Sequence, residues 1–355
     1  MTSLKFDTPK PDLVRYNAML EAGFRAYPER LKNYEKYKKN PRAIHVDYMP
    51  IRADVENVSR CNLRCNHCLI SSLSGQRRAQ DLSLEDFKHF IDEQYGLIEI
   101  KLQGVGEPFL QDEFCDMVRY ASERYIWVRT TTNGMLLHKN ENYKRVIDAN
   151  VGEIQVSIDG ATKPTQEKIR VGSNFERIVE NCKLLNGYCE QNGVDKTRMW
   201  TVLQRQNFTE AHEILLLARD MGFKRLTISM ELRDWNDIDG AKIDNATNRL
   251  GREIAQEWID SLLEYAKSLG LNLTFWHVSE RFSHQNICFW SFERFLLTSD
   301  GYVVPCCLIA NPNIYHFGKY SKFTELWYGK VMSDFRETHI RGKIPTICRD
   351  CYKEI

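Results

Sequence analysis

Runs of apolar and β-branched residues alternate with amphipathic stretches along most of the chain from residue 51 onward. The runs predict six strands, at 51–58, 98–103, 126–132, 152–158, 198–204 and 225–230. The amphipathic stretches predict helices at 83–95, 111–124, 142–149, 174–193 and 208–221. Because each strand is followed by a helix, the pattern predicts an α/β fold with a parallel sheet. Six such units are typical of a partial (β/α)6 barrel of the TIM type.

The segments that flank the predicted barrel have a different pattern. Two helices are predicted before it, around 11–24 and 28–40, and a helix at 251–269 and a strand at 271–277 follow it. A cysteine-bearing tail then runs from 288 to the end. We therefore predict an N-terminal helical extension (1–50), a barrel (51–270) and a cysteine-rich C-terminal domain (271–355).

Composition narrows the classes of function. The chain has 355 residues, 43% of them hydrophobic, which is enough material for a large core. Its 49 Lys and Arg against 48 Asp and Glu give no broad basic field, which argues against nucleic acid as a partner. No apolar run predicts a membrane span, and the first residues lack the pattern of a secretory signal. We therefore expect a cytoplasmic protein whose 11 cysteines are metal ligands or reactive thiols rather than disulfides.

Polar and glycine-rich motifs follow the predicted strands. Cys61 comes after the first strand, Gly104-Val-Gly-Glu-Pro108 after the second, Asn133-Gly134 after the third, and Ser157-Ile-Asp159 after the fourth. In barrels of parallel strands the functional residues collect at the carboxyl ends of the strands. These motifs are therefore expected to form one site.

Three cysteines stand within eight residues in the arrangement Cys61-x3-Cys65-x2-Cys68. Thiolates at this spacing, on a short turning segment, can hold three irons of an iron–sulfur cube and leave the fourth iron open for another ligand. Zinc is the alternative, although it needs a fourth ligand nearby, for which His67 is a candidate.

The tail carries five cysteines, Cys288, Cys306, Cys307, Cys348 and Cys351. This count suits one site of four thiolates with one thiol to spare, and a zinc ion held by the same four thiolates is the alternative. Cys306 and Cys307 are adjacent and point to opposite sides of an extended segment, so only one of them should be a ligand. Asp300-Gly301 predicts a hairpin turn before them. On the predicted helices, Cys115, Cys182 and Cys189 are expected to be buried hydrophobic residues.

The cysteine triplet resembles the signature of the radical S-adenosylmethionine (SAM) enzymes, and Gly104-Val-Gly-Glu-Pro108 resembles their GGEP segment. The resemblance implies that Cys61, Cys65 and Cys68 hold a [4Fe–4S] cluster whose open iron binds SAM. It also implies that SAM is contacted by residues following the strands, namely Gly104, Gly106, Glu107, Asn133, Ser157, Asp159 and Arg170. Of these, Glu107 would face the SAM ammonium, and Arg170 would offer its guanidinium to the SAM carboxylate. For Ser157 and Arg170 the alternative is a turn or helix-capping residue.

The tail is similar to the SPASM and twitch domains of the same superfamily. That resemblance implies a second, auxiliary [4Fe–4S] cluster on Cys288, Cys306, Cys348 and Cys351, with the single-cluster twitch form as the better match. Cys306 is preferred to Cys307 because the Gly-x-Val-x-Pro-Cys layout ends on it. A catalytic role as hydrogen-atom donor is open for the spare Cys307, and a buried cysteine is the alternative.

These resemblances imply an oxidoreductase that cleaves SAM reductively to a 5′-deoxyadenosyl radical, which takes a hydrogen atom from a polar small molecule. Dehydrogenation or epimerisation of a sugar or aminocyclitol is the concrete expectation, with the auxiliary cluster as electron acceptor or relay. A flavodoxin or ferredoxin would supply the electrons. The acidic segment with Asp234, Asp237 and Asp239 would suit an amine-bearing or hydroxyl-rich ligand, and a solvated turn is the alternative.

Two other functions stay open. One is a peptide-modifying enzyme (RiPP maturase) of the same superfamily, which forms a crosslink, a thioether or an epimerised residue. Such enzymes often carry an N-terminal docking domain of roughly 80–90 residues, and the 50 mostly helical residues before the first strand favour the small-molecule reaction instead. The other is a non-enzymatic zinc-binding scaffold that uses both groups of cysteines.

Overall fold

The computed structural model describes residues 4–72, 77–230, 232, 235–236, 242–243, 245–250, 254–277 and 281–352. Two compact units divide the chain, and each is built from separated segments. The first unit holds Met1–Pro11, Cys61–Gln76 and Thr130–His277, and the second holds Asp12–Arg60, Arg77–Arg129 and Val278–Ile355. The predicted domain limits are a separate division of the chain, and they stay predictions.

The helices form where amphipathic periodicity predicts them. They are α1 (Leu13–Ala26), α2 (Pro28–Lys39), α3 (Leu84–Glu93), α4 (Phe114–Glu123), α5 (Asn142–Asp148), α6 (Lys163–Ile169), α7 (Phe175–Gln191), α8 (Ala211–Asp220), α9 (Gln256–Ser268), α10 (Trp290–Glu293), α11 (Phe323–Tyr328) and α12 (Lys330–Ile340). Local chemistry fixes several starts, as where the Ser83 side chain accepts a hydrogen bond from the Asp86 N–H at the start of α3. Helix α6 and the tail helices α10, α11 and α12 lie outside the predicted set.

The strands are, in chain order, β1 (Arg52–Val55), β2 (Arg64–Cys65), β3 (Glu99–Leu102), β4 (Trp127–Thr132), β5 (Glu153–Ser157), β6 (Arg170–Val171), β7 (Thr197–Val202), β8 (Arg225–Ser229), β9 (Trp235–Asn236), β10 (Lys242–Ile243), β11 (Asn272–Trp276), β12 (Leu296–Leu297), β13 (Tyr302–Val304) and β14 (Gly318–Lys319). The six predicted barrel strands are confirmed as β1, β3, β4, β5, β7 and β8. The predicted strand at 271–277 is confirmed as β11.

In the first unit, β5, β7, β8 and β11 lie side by side in that order and run parallel. Residues in register share a face, so Ser157 stands beside Trp200, and Trp200 beside Thr227. The opposite face is apolar and fully buried, with Val156 and Met199 among its members. This alternation places polar side chains on one face and the hydrophobic core on the other.

In the second unit, β4, β3, β1 and β12 run parallel, and β12, β13 and β14 continue the sheet as an antiparallel meander. The predicted hairpin is therefore confirmed as β12–β13. Its turn needs glycine, since Gly301 has a φ of 78° and the Thr298 N–H bonds to the Tyr302 carbonyl. The cysteine-bearing tail thus begins as extra strands on the same sheet as β1.

Among the helices that the structure describes, none is both long and apolar enough to cross a bilayer.

Candidate active site

The cysteine triplet lies on a loop of the first unit that is tied to a distant segment. Its short strand β2 pairs antiparallel with β6, which sets Cys65 opposite Arg170. The Asn66 N–H donates to the Ile169 carbonyl at 3.1 Å, and Ser71 Oγ donates to the Cys65 carbonyl at 2.8 Å. Backbone pairing across about a hundred residues of sequence therefore fixes the path of the loop.

The three thiols of the triplet interact with one another. The charges of Cys68 and Cys61 act on Cys65, and the Leu63 N–H lies 3.4 Å from Cys61 Sγ. Burial raises the pKa of the Cys65 thiol to about 12 and also raises that of Cys68. Buried thiolates need a compensating positive charge, which a metal cluster supplies. The donor set fits a cluster with three protein ligands.

Arg170 and Asp159 form a buried ion pair beside the triplet. Arg170 Nε lies 2.7 Å from Asp159 Oδ2, and Arg170 Nη1 lies 3.9 Å from Cys65 Sγ. Asp159 Oδ1 accepts the Val202 N–H at 2.7 Å. Both carboxylate oxygens therefore have partners within the chain, and the guanidinium holds the carboxylate and faces a cysteine sulfur. Contact of either residue with SAM stays a prediction.

Asn133, directly after β4, and Ser157, at the end of β5, both belong to the first unit. Asn133 Nδ2 donates to Asn62 Oδ1 at 2.8 Å and lies 3.9 Å from Cys61 Sγ, while its Oδ1 accepts the Met135 N–H. Ser157 is the buried last residue of β5. Asn133 is thus placed beside the first cysteine of the triplet, and its contact with SAM stays a prediction.

Histidine 67 also faces this cluster of polar groups. Its Nε2 lies 3.9 Å from Asp159 Oδ2, and burial lowers the pKa of its imidazole to about 4. Within the part of the chain that the structure describes, no three His, Cys, Asp or Glu side chains are already arranged around a point that could hold a single metal ion. Each cysteine of a cube binds its own iron, so a cluster does not require such an arrangement, and the cluster assignment stays a prediction.

The glycine-rich segment belongs to the second unit, and the protein itself closely approaches both of its glycines, whose contact with SAM stays a prediction. A Cβ on Gly104 would lie 2.1 Å from Glu56 Cγ, and a Cβ on Gly106 would lie 2.5 Å from the Val58 and Arg60 carbonyl oxygens. Close approach of the protein itself therefore requires both glycines. Glu107 is buried, and its side chain accepts the Phe109 N–H at 3.4 Å at the start of a 3-10 turn.

The tail cysteines converge within the second unit. The charges of Cys288 and Cys348 act on Cys306, and those of Cys288 and Cys351 act on Cys348. Burial raises the pKa of the Cys288 thiol to about 12 and raises those of Cys306 and Cys348 as well. Thiols that act on one another electrostatically, three of them desolvated by burial, fit a metal centre on the predicted ligand set, which stays a prediction.

An aromatic cluster supports the tail cysteines. Phe282, Ile344 and Tyr352 are buried together, with Cys288, Cys348 and Cys351 packed against them. Tyr352 Oη accepts the Cys288 N–H at 2.8 Å and lies 2.8 Å from His339 Nδ1. Burial lowers the pKa of His339 to about 4, so the imidazole is neutral near pH 7. Sequence reasoning missed this tyrosine–histidine pair, because it depends on helix α12 packing against the segment that carries Tyr352.

The remaining cysteines separate into two groups. Cys115, Cys182 and Cys189 are buried on α4 and α7, as predicted. Cys307 is exposed, so the alternative of a buried cysteine is wrong, and its role as a hydrogen-atom donor stays a prediction. The acidic residues Asp234, Asp237 and Asp239 lie outside the described residues.

Sequence reasoning missed a buried carboxylate at the end of β1. Glu56 is fully buried, pairs with Arg78, and accepts the Val105 N–H at 3.2 Å and the Ser299 Oγ–H at 3.0 Å. Arg78 also binds Asp300 at 2.8 Å. Glu56 thus links the glycine-rich segment to the tail hairpin, and a charged residue directly after a buried strand was the available signal.

Two family models match the chain. Residues 58–218 match the radical SAM superfamily, and residues 288–352 match SPASM, an iron–sulfur cluster-binding domain. A solved structure of SuiB from Streptococcus suis bound to S-adenosylmethionine superimposes with a TM-score of 0.64 at 15% identity, covering 91% of this chain and 76% of that one. This likeness concerns the fold, and together with the family matches it confirms the predicted partial barrel with a C-terminal cluster domain.

Two curated relatives illustrate the similarity in sequence. Mycofactocin maturase MftC of Mycolicibacterium smegmatis is 29% identical over 175 residues, which cover 49% of this chain and 43% of the relative. The subtilosin biosynthesis protein AlbA of Bacillus subtilis, named for an antilisterial bacteriocin, is 24% identical over 325 residues, 86% of this chain and 67% of the relative. The match thus spans less than half the length of the mycofactocin maturase.

Proposed function

This chain belongs to the radical SAM superfamily and carries a SPASM domain at its C-terminal end, and from that premise we propose that it modifies a peptide. The modification is a crosslink, a thioether or an epimerised residue, formed after a hydrogen atom is removed from a C–H bond. When bound, SAM and its [4Fe–4S] cluster supply the hydrogen-abstracting radical, and the SPASM cluster supplies an electron acceptor or relay.

The observation that carries this proposal is the extent of the similarity to AlbA. It covers 86% of this chain, which requires that it include parts of both matched domains rather than the cofactor-binding half alone. A protein named for bacteriocin biosynthesis and the mycofactocin maturases favour a peptide substrate over a free sugar. The dehydrogenation of a sugar or aminocyclitol, expected from the sequence, has less support.

Residues of the first unit account for the cofactor half of the proposal. Cys61, Cys65 and Cys68 would hold the SAM-binding cluster, with the Arg170 guanidinium close to Cys65 Sγ. A cation beside a ligating sulfur stabilises negative charge on the ligand and tunes the metal site. Because Asp159 holds that guanidinium from the other side, the charge is fixed in place before any cofactor binds.

Residues of the second unit account for the auxiliary half. Cys288, Cys306, Cys348 and Cys351 would hold the second cluster, against the aromatic cluster that includes Tyr352. The Tyr352 hydroxyl fixes the backbone at Cys288, which orients one ligand. An apolar, rigid surround keeps water from the ligands and sets the dielectric around them.

The test is turnover by the anaerobically reconstituted full-length protein, with SAM and dithionite, on short peptides encoded beside its gene. We expect 5′-deoxyadenosine to form in proportion to modified peptide. Mass spectrometry would show the loss of two hydrogen atoms for a crosslink, or one deuterium gained in heavy water for an epimer. Formation of 5′-deoxyadenosine with sugars or aminocyclitols and with no peptide would contradict the proposal and restore the small-molecule reaction.

A further inference from the structure

One face of the second unit's sheet carries a row of charged side chains. Asp54 of β1 stands in register with Lys101 of β3, and Lys101 with Arg129 of β4. Ile100 and Val128, which precede Lys101 and Arg129 on their strands, lie on the opposite, apolar face and are fully buried. Burying a charged side chain on such a sheet face costs free energy unless the charge is paired or faces a ligand.

Every other charge on this face has a partner. Glu99 binds Arg52 at 3.1 Å and Arg129 at 2.8 Å, and Arg294 binds Asp54 at 2.8 Å. Burial alone would raise the pKa of Glu99, but Arg129 and Arg52 hold it at about 2. These pairs engage Glu99 and one oxygen of Asp54, Oδ1, with arginines rather than with Lys101.

Lys101 is the exception among the described residues of this face. Its ammonium makes no hydrogen bond and no ion pair within 4.0 Å, although the side chain is only partly exposed. Burial lowers the pKa of Lys101, while the charges of Asp54 and Cys307 oppose that shift. A desolvated ammonium without a partner gains strongly from an anionic oxygen placed against it.

Gln103 adds an unused acceptor two residues along the chain. Its Oε1 is buried and has no hydrogen-bond partner among the described residues, while its backbone N–H is bonded to the Val55 carbonyl at 2.9 Å. Buried polar atoms in native proteins are nearly always hydrogen-bonded, so this oxygen is available to accept a hydrogen bond from a ligand. Because Lys101 and Gln103 are two residues apart on an extended segment, a cationic donor and a neutral acceptor lie on the same face.

We propose that Lys101 and Gln103 form a recognition subsite for the terminal residue of the peptide substrate, with Lys101 binding its carboxylate and Gln103 Oε1 accepting its N–H. The inference rests on the proposed function and deepens it by naming the chemical group that is recognised. A carboxylate next to an amide N–H is the complement of this donor and acceptor.

The experiment uses the reconstituted holoenzyme with SAM and no reductant, so that nothing turns over. Equilibrium dialysis against a pool of N-acetylated dipeptides, each made as a free acid and as a terminal amide, measures retention by mass spectrometry. We expect the wild type to retain free acids at least about tenfold more than amides, the effect of one charge-assisted hydrogen bond. Lys101→Met should lose that preference, Lys101→Arg should keep most of it, and Gln103→Leu should weaken acids and amides alike.

Lys322→Met, at an exposed lysine of the same unit, is the matched control and should behave as the wild type. Equal retention of acids and amides by the wild type would overturn the subsite, as would a Lys101→Met variant that binds SAM more weakly but selects peptides normally. If the protein prefers free acids but forms no 5′-deoxyadenosine on reduction, the subsite is supported and the proposed function is contradicted. If it modifies peptides but does not prefer free acids, the proposed function is supported and the subsite is contradicted.

Discussion

The two cysteine groups of this chain are held in place by different physical means. In the first unit the triplet is fixed by the β2–β6 backbone pairing and by the Arg170–Asp159 ion pair. In the second unit the tail cysteines pack on aromatic and aliphatic side chains, and Tyr352 supplies the main polar link. The path of the triplet loop therefore depends on backbone pairing and an ion pair, whereas the tail cysteines depend mainly on packing, with the Arg281 charge also acting on Cys288 and Cys351.

The largest expected difference comes from removing one ligand of each group. Cys65→Ala leaves two protein ligands for the SAM-binding cluster, so reductive formation of 5′-deoxyadenosine should be abolished. Cys348→Ala should leave SAM cleavage measurable and lose the modified product. Chromatography of 5′-deoxyadenosine and mass spectrometry of the peptide check both variants. Undiminished SAM cleavage by Cys65→Ala would show that the ligand assignment is wrong.

The next largest expected effect comes from breaking the Arg170–Asp159 ion pair, which should lower the free energy of unfolding. Arg170→Met leaves the Asp159 carboxylate buried without its cation, which should cost about 3–5 kcal/mol of unfolding free energy in urea. Arg177→Met, which breaks the exposed pair with Glu180, is the control and should change nothing measurable. If both variants unfold at the same urea concentration, the ion pair does not hold the triplet loop.

In the tail, Tyr352→Phe keeps the ring and removes the hydroxyl. The Cys288 N–H and His339 Nδ1 then lose their partner, at a cost of about 1–3 kcal/mol. The electron paramagnetic resonance signal of the second cluster should shift while the rate of SAM cleavage stays the same. Tyr188→Phe removes an exposed hydroxyl bound to Asp148 and serves as the control. A slower SAM cleavage in Tyr352→Phe alone would contradict the separation of the two sites.

The smallest expected effect is on the pH dependence of stability. Burial lowers the pKa of His339 to about 4, below the value of about 6.5 in an unfolded chain, so the unfolded state binds the proton first. Stability should therefore fall as the pH drops from 7 to 5, by about 1–2 kcal/mol from this residue. His339→Gln should flatten that part of the urea-denaturation profile. If the free energy of unfolding changes with pH equally in the wild type and the variant, a residue other than His339 is responsible.

Much of the fold could be predicted because it follows from local alternation. The limits of β4 and β7 agree with the predicted strands to within two residues, since both segments are rich in β-branched and aromatic residues. Helix α6 was missed because its seven residues are mostly polar. The β2–β6 pairing was missed because it joins segments more than a hundred residues apart, which no local pattern reveals.

The cysteine spacing predicts the ligands of the two clusters, an assignment that stays a prediction, but no local pattern predicts the groups that support them. The group that approaches Gly104 is the Glu56 side chain, which only the folded sheet brings there. Lys101 reads in the sequence as an ordinary strand residue, and its lack of a partner appears only when the neighbouring charges are paired.

The most direct test of two separate cluster sites is the iron and labile sulfide content of the anaerobically reconstituted chain. The wild type should hold about eight irons, since each cube has four. A variant with Cys61, Cys65 and Cys68 replaced by alanine should hold about four, and so should a variant lacking Cys288, Cys306, Cys348 and Cys351. Stoichiometric zinc in place of iron, or the loss of all iron in either variant, would contradict two independent clusters.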